Sequence, residues 1–182
     1  EWVPNDHYTL VRNDNYWGEM PIATSITCRV IPEGSARTIA LEAGEIDVVW
    51  SVDPTDCANV ESNPDVKLLS QPSTGIDYVG MNTQKEKFSD KRVRQAINYA
   101  LDKQAFVDTI IEGRGLVANS YINAAIPGWT DEVEAYPYDP EKAKELLAEA
   151  GYPDGFECSI FVNGDLRTRS AQILQAQLAD VG

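Results

Sequence analysis

The sequence predicts a mixed chain of α/β or α+β class with some crossover connections, and three observations carry that expectation. Two segments, 90–115 and 139–151, place apolar side chains at helical spacing between cap residues. Short runs rich in β-branched residues, such as TSITCRVI at 24–31, alternate with such helices along the whole chain. No repeat or low-complexity tract interrupts the pattern, and apolar runs such as Val48-Val49-Trp50 are far too short to span a bilayer.

Taken in order, residues 8–12 alternate like a strand, and Asn13-Asp14-Asn15 supplies side chains that bond their own backbone in a turn. Tyr16-Trp17-Gly18 reads as a packing plug under a loop. Residues 24–31 form a second expected strand, stopped by Pro32. Ala36, Ile39, Ala40 and Ala43 mark a helix ended by Gly44, and IDVVW at 46–50 reads as a short buried strand. Asp53-Pro54 opens a helix that stops before Asn63-Pro64. Strands are expected at 66–69 and 76–81.

Asp90 then caps a helix whose buried face is Val93, Ala96, Ile97, Ala100 and Leu101, and Asp102 starts a second with Phe106, Val107, Ile110 and Ile111. Residues 116–129 read as an ordered, apolar-rich loop, followed by solvated acidic residues at 131–134. Asp139-Pro140-Glu141 supplies an N-cap, a proline at the first helical position and a carboxylate at the positive end of the macrodipole. Ala143, Leu146, Leu147 and Ala150 form that helix's stripe. A strand at 156–162 and a last helix bearing Ile173, Leu174 and Leu178 complete the chain.

Composition excludes more than it selects. With 182 residues, 15 basic against 29 acidic side chains and a formal charge of −14, the chain lacks the basic surface that nucleic acid requires. The acidity reads as a solvated surface. Cys28, Cys57 and Cys158 are widely spaced and odd in number, which fits buried free thiols better than a metal motif or a disulfide framework. The opening on Glu1-Trp2 and the close on Val181-Gly182 read as the ends of an internal segment of a longer protein.

No catalytic constellation is evident. His7, the sole histidine, lies in a polar stretch and reads as a surface residue. Glu42/Glu45 and Asp53/Asp56 fall around helix ends, where capping and the dipole account for them. The sequence contains no GxSxG elbow, and Gly113-Arg114-Gly115 is too short for a phosphate loop. Neither a metal set nor a cofactor is called for. Binding without chemistry is the class left, and aromatics beside small residues at strand ends are the usual lining of a ligand cleft. The candidates are Trp50, Ser51, Thr74, Gly75, Ile76 and Trp129.

Five phrases in succession carry a resemblance. They are NDNYWG at 13–18, ALEAGEIDVV at 40–49, Met81-Asn82, FSDKRVRQAINYALDKQAFVDTIIEGRG at 88–115 and YDPEKAKELLAEAGYPDGF at 138–156. In this order the chain resembles the extracellular solute-binding proteins of the peptide/nickel class, receptors of ABC importers for dipeptides and oligopeptides. The resemblance implies a periplasmic-binding-protein-like (type II) fold of two α/β lobes, of which this chain is an incomplete middle segment. It places 1–78 in the C-terminal portion of lobe I and 79–182 in the N-terminal portion of lobe II, with a hinge strand near 76–82.

The implied function is capture of a peptide or another small solute at the periplasmic or extracellular face and delivery to ABC permease membrane subunits, without catalysis. Contact with the membrane would come only through an N-terminal lipid anchor absent from this segment. The cleft-lining segments it implies, after GEID and before Met81-Asn82, coincide with 50–51 and 73–78. The matched residues themselves are caps, stripes and helix-ending glycines, so they read as structural. Asp77 and Asp53 are the carboxylates available for a peptide amine. The alternative is a ligand-sensing module of the same fold within a transcription regulator or signalling protein.

Overall fold

The structure is a computed structural model that describes residues 1–182. It divides into two units, Glu1–Leu68 and Leu69–Gly182. In the first, strands β1 (Trp2–Val3), β2 (His7–Val11) and β3 (Ser25–Arg29) form an antiparallel sheet in that order. The register pairs Tyr8 with Cys28 and Leu10 with Ile26, so these four side chains share one face. Helix α1 (Gly34–Glu42) begins where the Glu33 carboxylate accepts from the Ser35 and Ala36 amides, and Gly44, with φ of 72°, follows its end.

The buried face of α1 differs from the expected one. Thr38 and Ala40 face inward, while Ile39 is exposed. Asp56 explains the rotation: its carboxylate accepts from the hydroxyls of Ser35 (3.3 Å) and Thr38 (3.4 Å), a polar seam that turns this side of the helix inward. Asp53 accepts from the Thr55 amide and opens a single 3-10 turn, Pro54–Asp56. This leads into α2 (Cys57–Ser62), which buries Cys57 and Val60 and stops before Pro64 as expected.

In the second unit the short helix α3 (Glu86–Ser89) precedes α4 (Lys91–Ala100) and α5 (Lys103–Ile110). Asp90 and Asp102 cap the latter two, accepting from the amides of Arg92 and Ala105. Helix α6 (Pro140–Glu149) is capped by Asp139, and α7 (Asp165–Ala179) follows. The core lies between α4 and α6: Val93, Ala96 and Ala100 pack with Ala143, Leu146, Leu147 and Val181. Phe88, Tyr152 and Phe156 close its edge, with Phe88 and Phe156 meeting edge to face at 6.0 Å. The Arg94 guanidinium donates to the carbonyls of Phe88 and Ser89, satisfying the end of α3. Lys103 does the same for Asn98 and reaches the Tyr136 carbonyl; its partial burial lowers its pKa.

Four expected strands, 46–50, 66–69, 76–81 and 156–162, run without a ladder. A strand exists only with a partner, and every paired strand in this chain belongs to the antiparallel sheet, so the expected crossovers do not occur among them. The segment 46–50 is not buried either: Val48 is 77% and Trp50 90% exposed. The Tyr16-Trp17 plug is likewise corrected. The rings meet tilted at 42° with centroids 5.2 Å apart, yet Trp17 is 91% exposed and packs under nothing. All three cysteines are free, but only Cys57 is buried.

Candidate functional site

The irregular segments carry the candidate residues. In the first unit, the chain leaves 46–50 through Ser51, whose φ of 67° makes a sharp corner that few side chains adopt. Arg37 braces that corner: one guanidinium nitrogen donates to the Ser51 carbonyl at 3.3 Å and another to the carbonyls of Ile31 and Pro32 at 3.0 Å. Trp50 therefore projects into solvent from a fixed turn rather than plugging a core edge.

In the second unit, Thr74, Ile76 and Tyr78 form one wall of a cavity of about 380 Å³ whose opposite wall is Tyr121. Its accessible lining mixes polar and apolar atoms. A neighbouring cavity of about 370 Å³ is bounded by Tyr121, Ile122, Trp129 and Val133, with a mostly apolar lining. Tyr121 is shared by both, so the structure brings Thr74 and Ile76 near Trp129 through one exposed ring. Gly75 lines neither cavity; its carbonyl accepts from the Asn123 side-chain amide at 3.1 Å. Trp129 is held by its own backbone amide, which donates to the Ile126 carbonyl.

Sequence reasoning missed Tyr121 and Asn123. The signal was present, because Tyr121 is an aromatic residue beside Ser120 in the same apolar-rich loop as Trp129 and meets the rule that selected Trp129. Asn123 gave no signal, since its bond to Gly75 spans 48 residues.

The charged groups nearby form structural pairs. Asp77 accepts from Arg167 Nε and Nη2 at 3.2 and 3.1 Å, and Asn163 accepts from the same guanidinium. Asp53 caps its turn. His7 Nδ1 donates to Asp6 Oδ2 at 2.7 Å and its Nε2 lies 3.7 Å from Glu1, and these carboxylates raise its pKa. No three His, Cys, Asp or Glu side chains gather as a metal set, and no helix is long and apolar enough to cross a membrane.

The arrangement offers concave aromatic walls with hydroxyl and backbone polar groups, which suits holding a small ligand. Comparison with known proteins points the same way. The family model for bacterial extracellular solute-binding proteins, family 5 (middle region), matches residues 1–182. The chain is 37% identical over 179 residues to the heme-binding protein A of Haemophilus influenzae, covering 94% of this chain and 32% of that protein. It is 34% identical over 176 residues to the dipeptide-binding protein of Escherichia coli, covering 93% and 33%. Among solved structures, it superposes with a TM-score of 0.93 and 32% identity on the ABC transporter-associated periplasmic binding protein DppA from Helicobacter pylori in complex with the peptide STSA. That superposition covers 100% of this chain and 36% of the other. The chain thus spans about a third of the length of the curated relatives it matches.

Proposed function

We propose, since the chain belongs to the bacterial extracellular solute-binding proteins of family 5, that the protein containing it is the receptor of an ABC importer. Its fold is the type II periplasmic-binding-protein fold of its structural relatives, here as a middle segment. The receptor captures a peptide or another small solute outside the cytoplasm and passes it to membrane permease subunits, without catalysing a reaction. The observation that supports this reading most is the superposition of the whole chain on a receptor holding a peptide. The relatives' names, one for heme and one for a dipeptide, argue that the scaffold tolerates different ligands. The walls of this chain favour peptide, because the aromatic side chains of Tyr78, Tyr121 and Trp129 lie beside the hydroxyls of Thr74, Ser120 and Thr130.

In this reading 1–78 belongs to lobe I and 79–182 to lobe II, and the extended, unladdered stretch near 76–82 is the crossing. Irregular backbone of that kind absorbs the dihedral changes of a closing hinge. The residues offered to the ligand are Trp50 and Ser51 in the first unit and Thr74, Ile76 and Trp129 in the second, where Gly75 supports the wall through its bond to Asn123. The test is to purify the full-length parent protein, identify co-purified solute by mass spectrometry, and titrate it with a pool of short peptides by calorimetry. One-to-one binding without turnover is the expected result. Failure to bind any peptide or small solute, or hydrolysis of the peptides, overturns the proposal.

A further inference from the structure

We infer that Asn123 is a positioning residue of this ligand surface, holding Tyr121 in place as a partition between an apolar compartment and a hydrogen-bonding one. The inference rests on the reading above for its ligand, and on geometry alone for its mechanics. Asn123 makes two different bonds. Its Oδ1 accepts from the Ala125 amide at 2.9 Å, closing a turn within its own segment. Its Nδ2 donates to the Gly75 carbonyl at 3.1 Å, which ties the segment carrying Tyr121 and Trp129 to the one carrying Thr74, Ile76 and Tyr78.

Tyr121 depends on that tie. It is 88% exposed, so packing adds little to hold its ring, and the backbone beneath it sets where the side chain leaves the segment. That backbone is shaped locally by Ser120, whose hydroxyl donates to the Ile122 carbonyl and accepts from the Ile122 amide. The acceptor side is prepared as well. The Gly75 amide donates to Ser73 Oγ at 2.9 Å, which anchors the N-terminal side of the residue whose carbonyl meets Asn123, and a Cβ at Gly75 would crowd Ser73 Oγ at 3.2 Å. The compartment on the Trp129 side is mostly apolar, and the one on the Thr74 and Tyr78 side carries hydroxyls. Their adjacency selects a ligand with a bulky apolar group next to hydrogen-bonding groups, such as a peptide bearing an aromatic side chain.

Two substitutions in the full-length receptor separate the two bonds. Asn123→Asp keeps an acceptor for the Ala125 amide but has no donor for Gly75, whereas Asn123→Ala loses both. Millisecond hydrogen exchange should rise severalfold over 73–78 and 119–129 in both variants and stay unchanged in α4 and α6. Affinity for the dipeptide Ala-Phe should fall about fivefold in both, the effect of one net hydrogen bond, and the preference for Ala-Phe over Ala-Ala should shrink. Wild-type exchange and wild-type preference in Asn123→Asp, with changes only in Asn123→Ala, would reduce Asn123 to a local turn residue and sink the inference. If the wild-type receptor binds neither dipeptide, the ligand class is wrong, while the exchange result still decides whether Asn123 joins the walls.

Discussion

The α4–α6 core and the two walls that meet at Tyr121 belong to the same unit, yet they are built on opposite principles. The core is made of short apolar side chains in capped helices, with Val93 and Ala143 fully buried. The walls are irregular backbone held by single hydrogen bonds, with large rings left in solvent. Packing constrains the first so tightly that a methylene matters. The second can change its side chains at little cost to the core, which suits the binding role proposed for it.

That contrast makes predictions of decreasing size for the full-length protein. Leu147→Ala should open a cavity against α4 and cost about 2–5 kcal/mol of stability, visible as a lowered melting temperature, while the folded fraction binds ligand as before. Trp129→Ala should do the reverse, costing about 2 kcal/mol of binding in calorimetry with little change in melting. If both variants lost stability and affinity together, core and walls would not be separable. Asp139→Ala removes the acceptor for the Lys142 amide and should cost about 1 kcal/mol of stability, again without touching affinity.

The smallest effect is one of pH. Arg92, hydrogen-bonded to Asp90, holds that carboxyl below the usual carboxylate range. A folded pKa lower than the unfolded one gives stability that is present above the usual range and is lost as pH falls through the lowered value. Asp90→Asn keeps a capping oxygen but not the charge. The stability gap between wild type and variant in urea titrations should therefore be constant near neutrality and close in that acid window.

The core was legible because it is local. Asp90, Asp102 and Asp139 announce helix starts within a few residues of the stripes they serve, and all three cap as expected. The extended segments were not legible, because alternation encodes burial but not the partner that supplies it. Phe161, 95% exposed, and Val48 are written like core residues, and this chain brings them no strand to pair with. Exposed rings gave half of the wall: the rule that found Trp129 applies equally to Tyr121, while the Asn123–Gly75 bond joins residues no local pattern connects. The rotation of α1 was hidden for the same reason, since Asp56 acts on Ser35 and Thr38 from another helix turn.

The most direct test of the ligand surface is a crystal structure of the full-length receptor with its co-purified ligand. The expected result is a solute in van der Waals contact with Ile76 and Trp129, with Tyr121 between its apolar and polar groups. A ligand bound out of reach of 74–78 and 119–129 would contradict the assignment of these walls.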